Sequence, residues 1–214
     1  MARDVAGCEQ MMRALVPGFP AVPEPELGEM RVGLAWLSDA DPLVRARVEE
    51  AAALFGTVEP VALPFPEDTY AQFAFEAAGS HRDLYAAHRE RYSENLQVKL
   101  DAAVLLTEDD AVRAARARER YREQVAEAIE GLDLLVTPTL EMVAPASGIG
   151  DLALRGRMIR LTYPFNATGA PALALPAGPA EDGLPASVQL VGRPGEDALV
   201  LAAGHALERA LRPR

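Results

Sequence analysis

The side chains able to do chemistry are few and scattered. Ser38, Ser80, Ser93, Ser147 and Ser187 supply the hydroxyls, and His81, His88 and His205 supply the imidazoles. Ser80, His81 and Asp83 stand nearly side by side, and these are the residue types of a hydrolytic triad. Serine attack needs a base that takes the hydroxyl proton and donors aimed at the oxyanion. On a helix, neighbours one and two apart diverge, so these three side chains do not converge. His81 and His88 share a helix face, but no His-Glu-x-x-His pairing accompanies them. They read as surface or internally satisfied imidazoles, and His205 as a structural one. Gly148-Ile149-Gly150 is a lone G-x-G with no third glycine, a weak mark of dinucleotide binding. No metal and no cofactor is expected. Of the 21 basic residues only Lys99 is a lysine, so a mechanism needing lysine has one candidate.

The arginine run Arg113, Arg116, Arg118, Arg120 and Arg122 has the look of a nucleic-acid patch. Between Asp109 and Glu130, however, five arginines face six acids. Opposite charges three apart, Arg116 with Glu119 and Arg120 with Glu123, predict a salt-bridged, solvated helix face. One of these arginines could still face a pocket and hold a substrate carboxylate.

The elements that must carry these residues follow from periodicity. Val5, Cys8, Met12 and Leu15 recur at helical spacing, so residues 3–16 form a leading helix, followed by a Pro-rich linker over 17–29. Cys8 reads as a small buried hydrophobe on that face. Residues 31–36 read as a strand. Asp41-Pro42 opens a helix that runs to Phe55, and residues 57–63 form a second strand. Strand, helix, strand at this spacing is a βαβ unit with a parallel pair.

Residues 67–105 read as a helical, cap-like part with a break at 92–95. Thr107 and Asp110 cap a long helix that ends near Ile129. Residues 133–139 form a strand, 140–155 a loop, and 157–162 a helical turn or two. Two apolar stretches, 171–177 and 186–192, flank a tight reversal at Glu181-Asp182-Gly183. A terminal helix spans 196–211. The sum is an α/β fold, a mixed sheet flanked by helices, with 133–214 as sheet core and terminal helix.

Composition narrows the function. The 214 residues are 50% hydrophobic and 25% charged, a globular balance. A net charge of −11 argues against a nucleic-acid partner. Apolar runs are too short to cross a bilayer, so no membrane partner is expected. One cysteine excludes an internal disulfide, and the opening residues lack signal-peptide order, so the expected place is cytoplasmic.

The strongest pattern lies in the last third. Asp133-Leu-Leu-Val-Thr-Pro-Thr139 precedes Thr162-Tyr-Pro-Phe-Asn166-Ala-Thr-Gly169-Ala-Pro171. Leu175-Pro176-Ala-Gly178 and Gly183-Leu-Pro185-Ala-Ser-Val-Gln189-Leu-Val-Gly192 follow. Strands joined by Gly and Pro turns account for the hydrophobic pattern but not for this order of Asn, Gly, Pro and Gln. The order resembles the carboxyl-terminal half of the amidase signature family, whose members hydrolyse amides or transfer ammonia from glutamine. Glu76-Ala77 with His81, the Tyr92–Leu100 segment and the Arg-rich helix are similar to that family as well. So is Met1-Ala-Arg-Asp-Val-Ala6, which resembles the end of its central signature region.

The resemblance implies a serine nucleophile, a second serine after a cis peptide, and an activating lysine, in a Gly/Ser-rich stretch and a strand upstream of the matching region. None of the five serines lies in such a stretch, and Lys99 sits outside any matching motif. No catalytic residue is therefore assigned. Residues 1–214 are expected to be the carboxyl-terminal portion of such a domain, inactive alone. By position within the motif, Arg160 and Thr162 are expected to line the pocket and Asn166 to fix the loop. Arg160 before Leu-Thr-Tyr-Pro-Phe-Asn favours a general amidase over the amidotransferase subunit. A small amide would bind only with the missing half. The alternative is a non-catalytic scaffold subunit that pairs with a separately encoded amino-terminal half or with itself, through an open strand edge and apolar face.

Overall fold

A computed structural model describes residues 1–21, 23–148 and 151–212. Its centre is a sheet of five strands: β1 (Arg31–Leu34), β2 (Thr57–Pro60), β3 (Leu134–Pro138), β4 (Ala172–Pro179) and β5 (Pro185–Val191). Their order is β2-β1-β3-β5-β4. β1 runs parallel to both β2 and β3, whereas β5 runs antiparallel to β3 and to β4. The sheet is thus mixed, and the βαβ pair at its start is parallel.

Strand alternation sends side chains to two cores. On one face, α1 (Val5–Leu15), α2 (Pro42–Ala52) and α8 (Asp197–Leu211) cover the strands. Val5, Val48 and Leu207 meet Val32, Val136, Val188 and Leu190 there. On the other face, α5 (Glu108–Ala128) and α7 (Tyr163–Thr168) bring Tyr121, Val125 and Phe165 onto Leu135 and Val191. Gly33 of β1 allows this packing, since a Cβ there would fall 2.6 Å from Val61 and 2.7 Å from Leu132. Gly204 does the same for α8, where a Cβ would lie 2.2 Å from Leu173 of β4.

The remaining helices are α3 (Tyr70–His88), α4 (Glu94–Ala103) and α6 (Asp151–Ile159). α3 and α4 form a helical hairpin, and the break between them begins with a 3-10 turn at Arg89–Arg91, ahead of the expected 92–95. Thr107 and Asp110 form a reciprocal capping box at the start of α5, as their spacing predicts.

Several expectations are corrected. β1 ends at Leu34, because Trp36 turns left-handed (φ 59°) so that its indole N–H can donate to the Leu63 carbonyl (2.9 Å) and its ring can stack on Phe65 (4.8 Å). The second strand stops at Pro60, and α2 ends at Ala52 although Phe55 is still buried. Leu15 is 72% exposed, off the face that Val5 buries, and Cys8 is only half-buried against that core. The expected loop over 140–155 gives way to α6 from Asp151, and a second helix, α7, occupies the motif around Asn166. Ile149 and Gly150 of the G-x-G lie outside the described residues.

Candidate functional site

β1 and β3 are parallel neighbours whose following segments are joined where the Asp41 N–H donates to the Glu141 carbonyl (2.7 Å). The carboxyl ends of such a pair form a crevice where α/β sheets bind ligands. Here Leu34 leads to Trp36–Asp41 and Pro138 leads to Thr139–Glu141. The turn between α6 and α7 is set down over these ends. Leu161 of that turn is fully buried. Its carbonyl accepts from the Gln189 side-chain amide at 3.2 Å, and the same nitrogen donates to Thr137 Oγ1 at 3.1 Å. Gln189 is therefore the peg that fixes Arg160 and Thr162 to the sheet.

Arg160 and Thr162 point to different surroundings. One Arg160 amine donates to Glu141 (3.1 Å) and the other to Asp39 (2.7 Å), while the guanidinium covers the Phe65 ring at 4.8 Å. Glu141 is 5% exposed and also accepts from Arg157 at 3.0 Å. A buried carboxylate held by two half-exposed arginines is a satisfied ion cluster. It staples the α6–α7 turn to the segments after β1 and β3.

Thr162 and Asn166 open instead into a cleft of about 480 Å3 between α3, α5 and α7, with Tyr70, Phe73, Arg118 and Tyr163 on its walls. Arg118 donates to the Ala167 carbonyl (2.6 Å) and the Asn166 carbonyl (3.3 Å), so one member of the arginine run does face a pocket, spent on backbone. Asn166 is expected to fix the loop by hydrogen bonds, and its backbone carbonyl is the group that takes one, from Arg118. Thr168 also ties the turn: its hydroxyl donates to the Phe165 carbonyl (3.0 Å) and accepts from the Ala170 amide (3.2 Å). Gly169 closes α7 with φ +74°, a left-handed cap that glycine adopts without strain. The Asn166 side chain is thus left exposed at the cleft. The three named residues are not one constellation: Thr162 and Asn166 share a cleft, and Arg160 belongs to the ion cluster behind it.

The cleft offers hydroxyls and a carboxamide, groups that pair with an amide as donor and acceptor. Tyr163 and Thr69 hydroxyls meet at 2.7 Å on its wall. Tyr121, nearby, donates to the Pro64 carbonyl (3.1 Å), and burial pushes its phenol well above the ordinary range, so it stays a neutral tie between α5 and the Phe65 segment.

Two of the five serine hydroxyls are bonded to backbone carbonyls. Ser80 donates to the Glu76 carbonyl (3.0 Å), and Ser187 to the Leu175 carbonyl (3.2 Å) with Thr139 Oγ1 alongside at 2.9 Å. His81 lies 3.1 Å from the Tyr92 hydroxyl and not on Ser80, as helix geometry requires. His205 contacts Glu9 (3.0 Å) and ties α8 to α1. The arginine-run pairs are Arg113 with Asp110 and Arg122 with Glu119, not the two that the spacing suggests. Sequence reasoning missed Glu141 and the peg role of Gln189. Thr137 and Gln189 face each other in register, a pairing that only strand order reveals.

Comparison with known proteins places this geometry. The family model described as Amidase matches residues 23–201. An amidase from Pseudomonas putida is 30% identical over 97% of this chain and 51% of its own length. The 1-carboxybiuret hydrolase subunit AtzE of Pseudomonas sp. strain ADP is 30% identical over 90% of the chain and 45% of its own length. A solved amidase structure superposes with TM-score 0.84 at 30% identity, covering 99% of this chain and 52% of that one. The chain belongs to the amidase family, and it spans about half the length of these relatives.

Proposed function

We propose that this chain takes part in amide hydrolysis as the portion that walls the substrate cleft, and that it carries no nucleophile of its own. The carrying observation is the cleft of Thr162, Tyr163 and Asn166, whose lining among the described residues includes no serine. Thr162 and Asn166 contact the substrate amide, and Arg160 holds the turn that presents them. The substrate is a small amide, with general amidase activity favoured over amidotransfer. No cofactor enters this chemistry, and the protein acts in the cytoplasm. Among the described residues, no helix is long and apolar enough to cross a membrane.

The partner is a polypeptide that supplies the rest of the amidase core. β4 supports this. α8 packs on one side of it, yet Ala172, Ala174 and Pro176 on the other side are exposed, and its outer edge ends the sheet. Next to it lies an apolar groove of about 440 Å3 with Val125, Ile129, Phe165, Ala170 and Val191 on its walls. A long open edge beside an uncovered apolar face is a surface that calls for a strand and a covering element. The scaffold reading, in which two copies pair through β4, uses the same surface.

The test is hydrolysis of a panel of small amides by the purified chain, alone and with a polypeptide equivalent to the other half of the Pseudomonas putida relative. We expect no turnover alone and turnover in the mixture. Turnover by the chain alone overturns the proposal. A native mass that stays monomeric in the mixture, with no binding of a hydrophobic dye, overturns the association through β4.

A further inference from the structure

On the far side of the Thr69–Tyr163 hydroxyl pair lies a second, larger groove of about 860 Å3. Arg113, Arg116 and Arg120 enter it from successive turns of α5, at spacings that put them on one helix face. Arg113 is matched by Asp110, whose carboxyl is held below the usual range first by the Thr107 hydroxyl and then by the Thr107 backbone N–H. Arg116 and Arg120 have no acidic partner within ion-pair distance among the described residues. Asp68, on a left-handed backbone, is the other acid of the groove. The lining therefore carries three cations against two acids, in a chain whose net charge is −11. A positive concavity on an acidic molecule concentrates anions.

The remaining surface fixes the class of anion. Tyr70 and Tyr163 present ring surface, Ala71 and Ala117 add an apolar floor, and Tyr163 carries a hydroxyl whose neighbour Thr69 is 3% exposed. One surplus positive charge beside aromatic rings suits a monoanion with an apolar body. Two guanidinium forks match a carboxylate's planar oxygens, whereas two fixed acids in the lining disfavour a dianion. We propose that this groove binds a small aromatic or aliphatic carboxylate, with Arg116 and Arg120 as its ligands. The groove shares Thr69, Tyr70 and Tyr163 with the amide cleft as a common wall, while its arginines lie outside that cleft, and its test reads binding and not hydrolysis.

Calorimetric titration of the full chain with benzoate, and separately with inorganic phosphate at the same ionic strength, tests this. Benzoate is expected to bind saturably, and Arg116→Gln and Arg120→Gln each to weaken it at least ten-fold. Arg113→Gln, which removes an already neutralised cation, should weaken it less than three-fold. Arg120→Lys should retain part of the affinity, since it keeps the charge and loses the fork. Melting curves of these exposed-site variants confirm that the fold is kept. No saturable benzoate binding, benzoate affinity unchanged from the parent chain in Arg116→Gln and Arg120→Gln, or tighter binding of phosphate overturns the proposal.

Discussion

In β3 and β5, Val136, Val188 and Leu190 are fully buried, while in α3 and α4 the buried side chains are Ala74, Ala78, Leu100 and Ala103. Phe73 and Leu84, two of the large apolar residues of α3, are 58% and 59% exposed. The sheet is held by apolar area on both faces. The hairpin is held by polar ties: Tyr85 to Asp101 (2.7 Å), Arg89 to Asp101 (2.6 Å), and the Gln97 amide to the Arg89 and Tyr92 carbonyls. His81, Tyr85 and Tyr92 add edge-to-face ring contacts. Burial is non-directional and cooperative, whereas exposed ties are individually weak and screened. One molecule thus joins a rigid support to a loosely attached wall of the cleft, and local opening is expected in the second first.

The widest separation between the two regions is expected from truncating a leucine in each. Leu190→Ala should cost about 3 kcal/mol in urea unfolding, through lost transfer energy and a cavity. Leu84→Ala should stay within about 0.5 kcal/mol. Equal costs would show that α3 is covered in solution and erase the contrast. Gln189→Leu probes the joint between sheet and site. It leaves the Leu161 carbonyl and the Thr137 hydroxyl short of a partner inside the core, and should cost about 2 kcal/mol. Hydrogen exchange should quicken in the 159–168 segment ahead of β3, and uniform quickening would mean that Gln189 does not serve the turn specifically.

A smaller effect is expected from Thr107→Ala, about 1 kcal/mol, confined to the first turn of α5 in exchange experiments. A global loss would deny its role as a local cap. The finest test uses pH. The Arg89 guanidinium, and after it the Tyr85 hydroxyl, hold the Asp101 carboxyl below the usual carboxylate range. Its folded value lies below its unfolded one, so the tie stabilises fully above the ordinary Asp range and is lost as pH falls through the lowered value. Between about pH 5 and pH 3, exchange in α3 and α4, corrected for intrinsic rate, should rise relative to β3 and β5. Asp101→Asn should remove that dependence; if it persists, another group is responsible.

Much of the fold was legible. The period-two and helical patterns located each of the five strands and the long helices, because these bury a face against a common core. The capping box at Thr107 was readable because it depends only on residues three apart. Boundaries failed where a distant partner intervened, as at Trp36, whose indole is claimed by Leu63. α7 was hidden inside a motif of Pro, Asn and Gly, residues that by themselves read as a turn. Thr162 and Asn166 were named from the motif, and their shared cleft was not readable, since its other walls come from Tyr70 and Phe73 some ninety residues earlier.

By itself, the sequence determined what depends on neighbours along the chain: helix faces, caps, the parallel pair at the start, and the ordered motif that marks the amidase family. Tertiary structure alone decided which side chains meet. It separated Arg160 from Thr162 by giving the arginine to Asp39 and Glu141. It paired Gln189 with Thr137 across two strands, and it left one side of β4 uncovered. The reason is physical. Local conformation is set by sterics and hydrogen bonds within a few residues, while the partner of a charge or a buried amide is chosen by strand order and by the burial that makes an unpaired polar group costly.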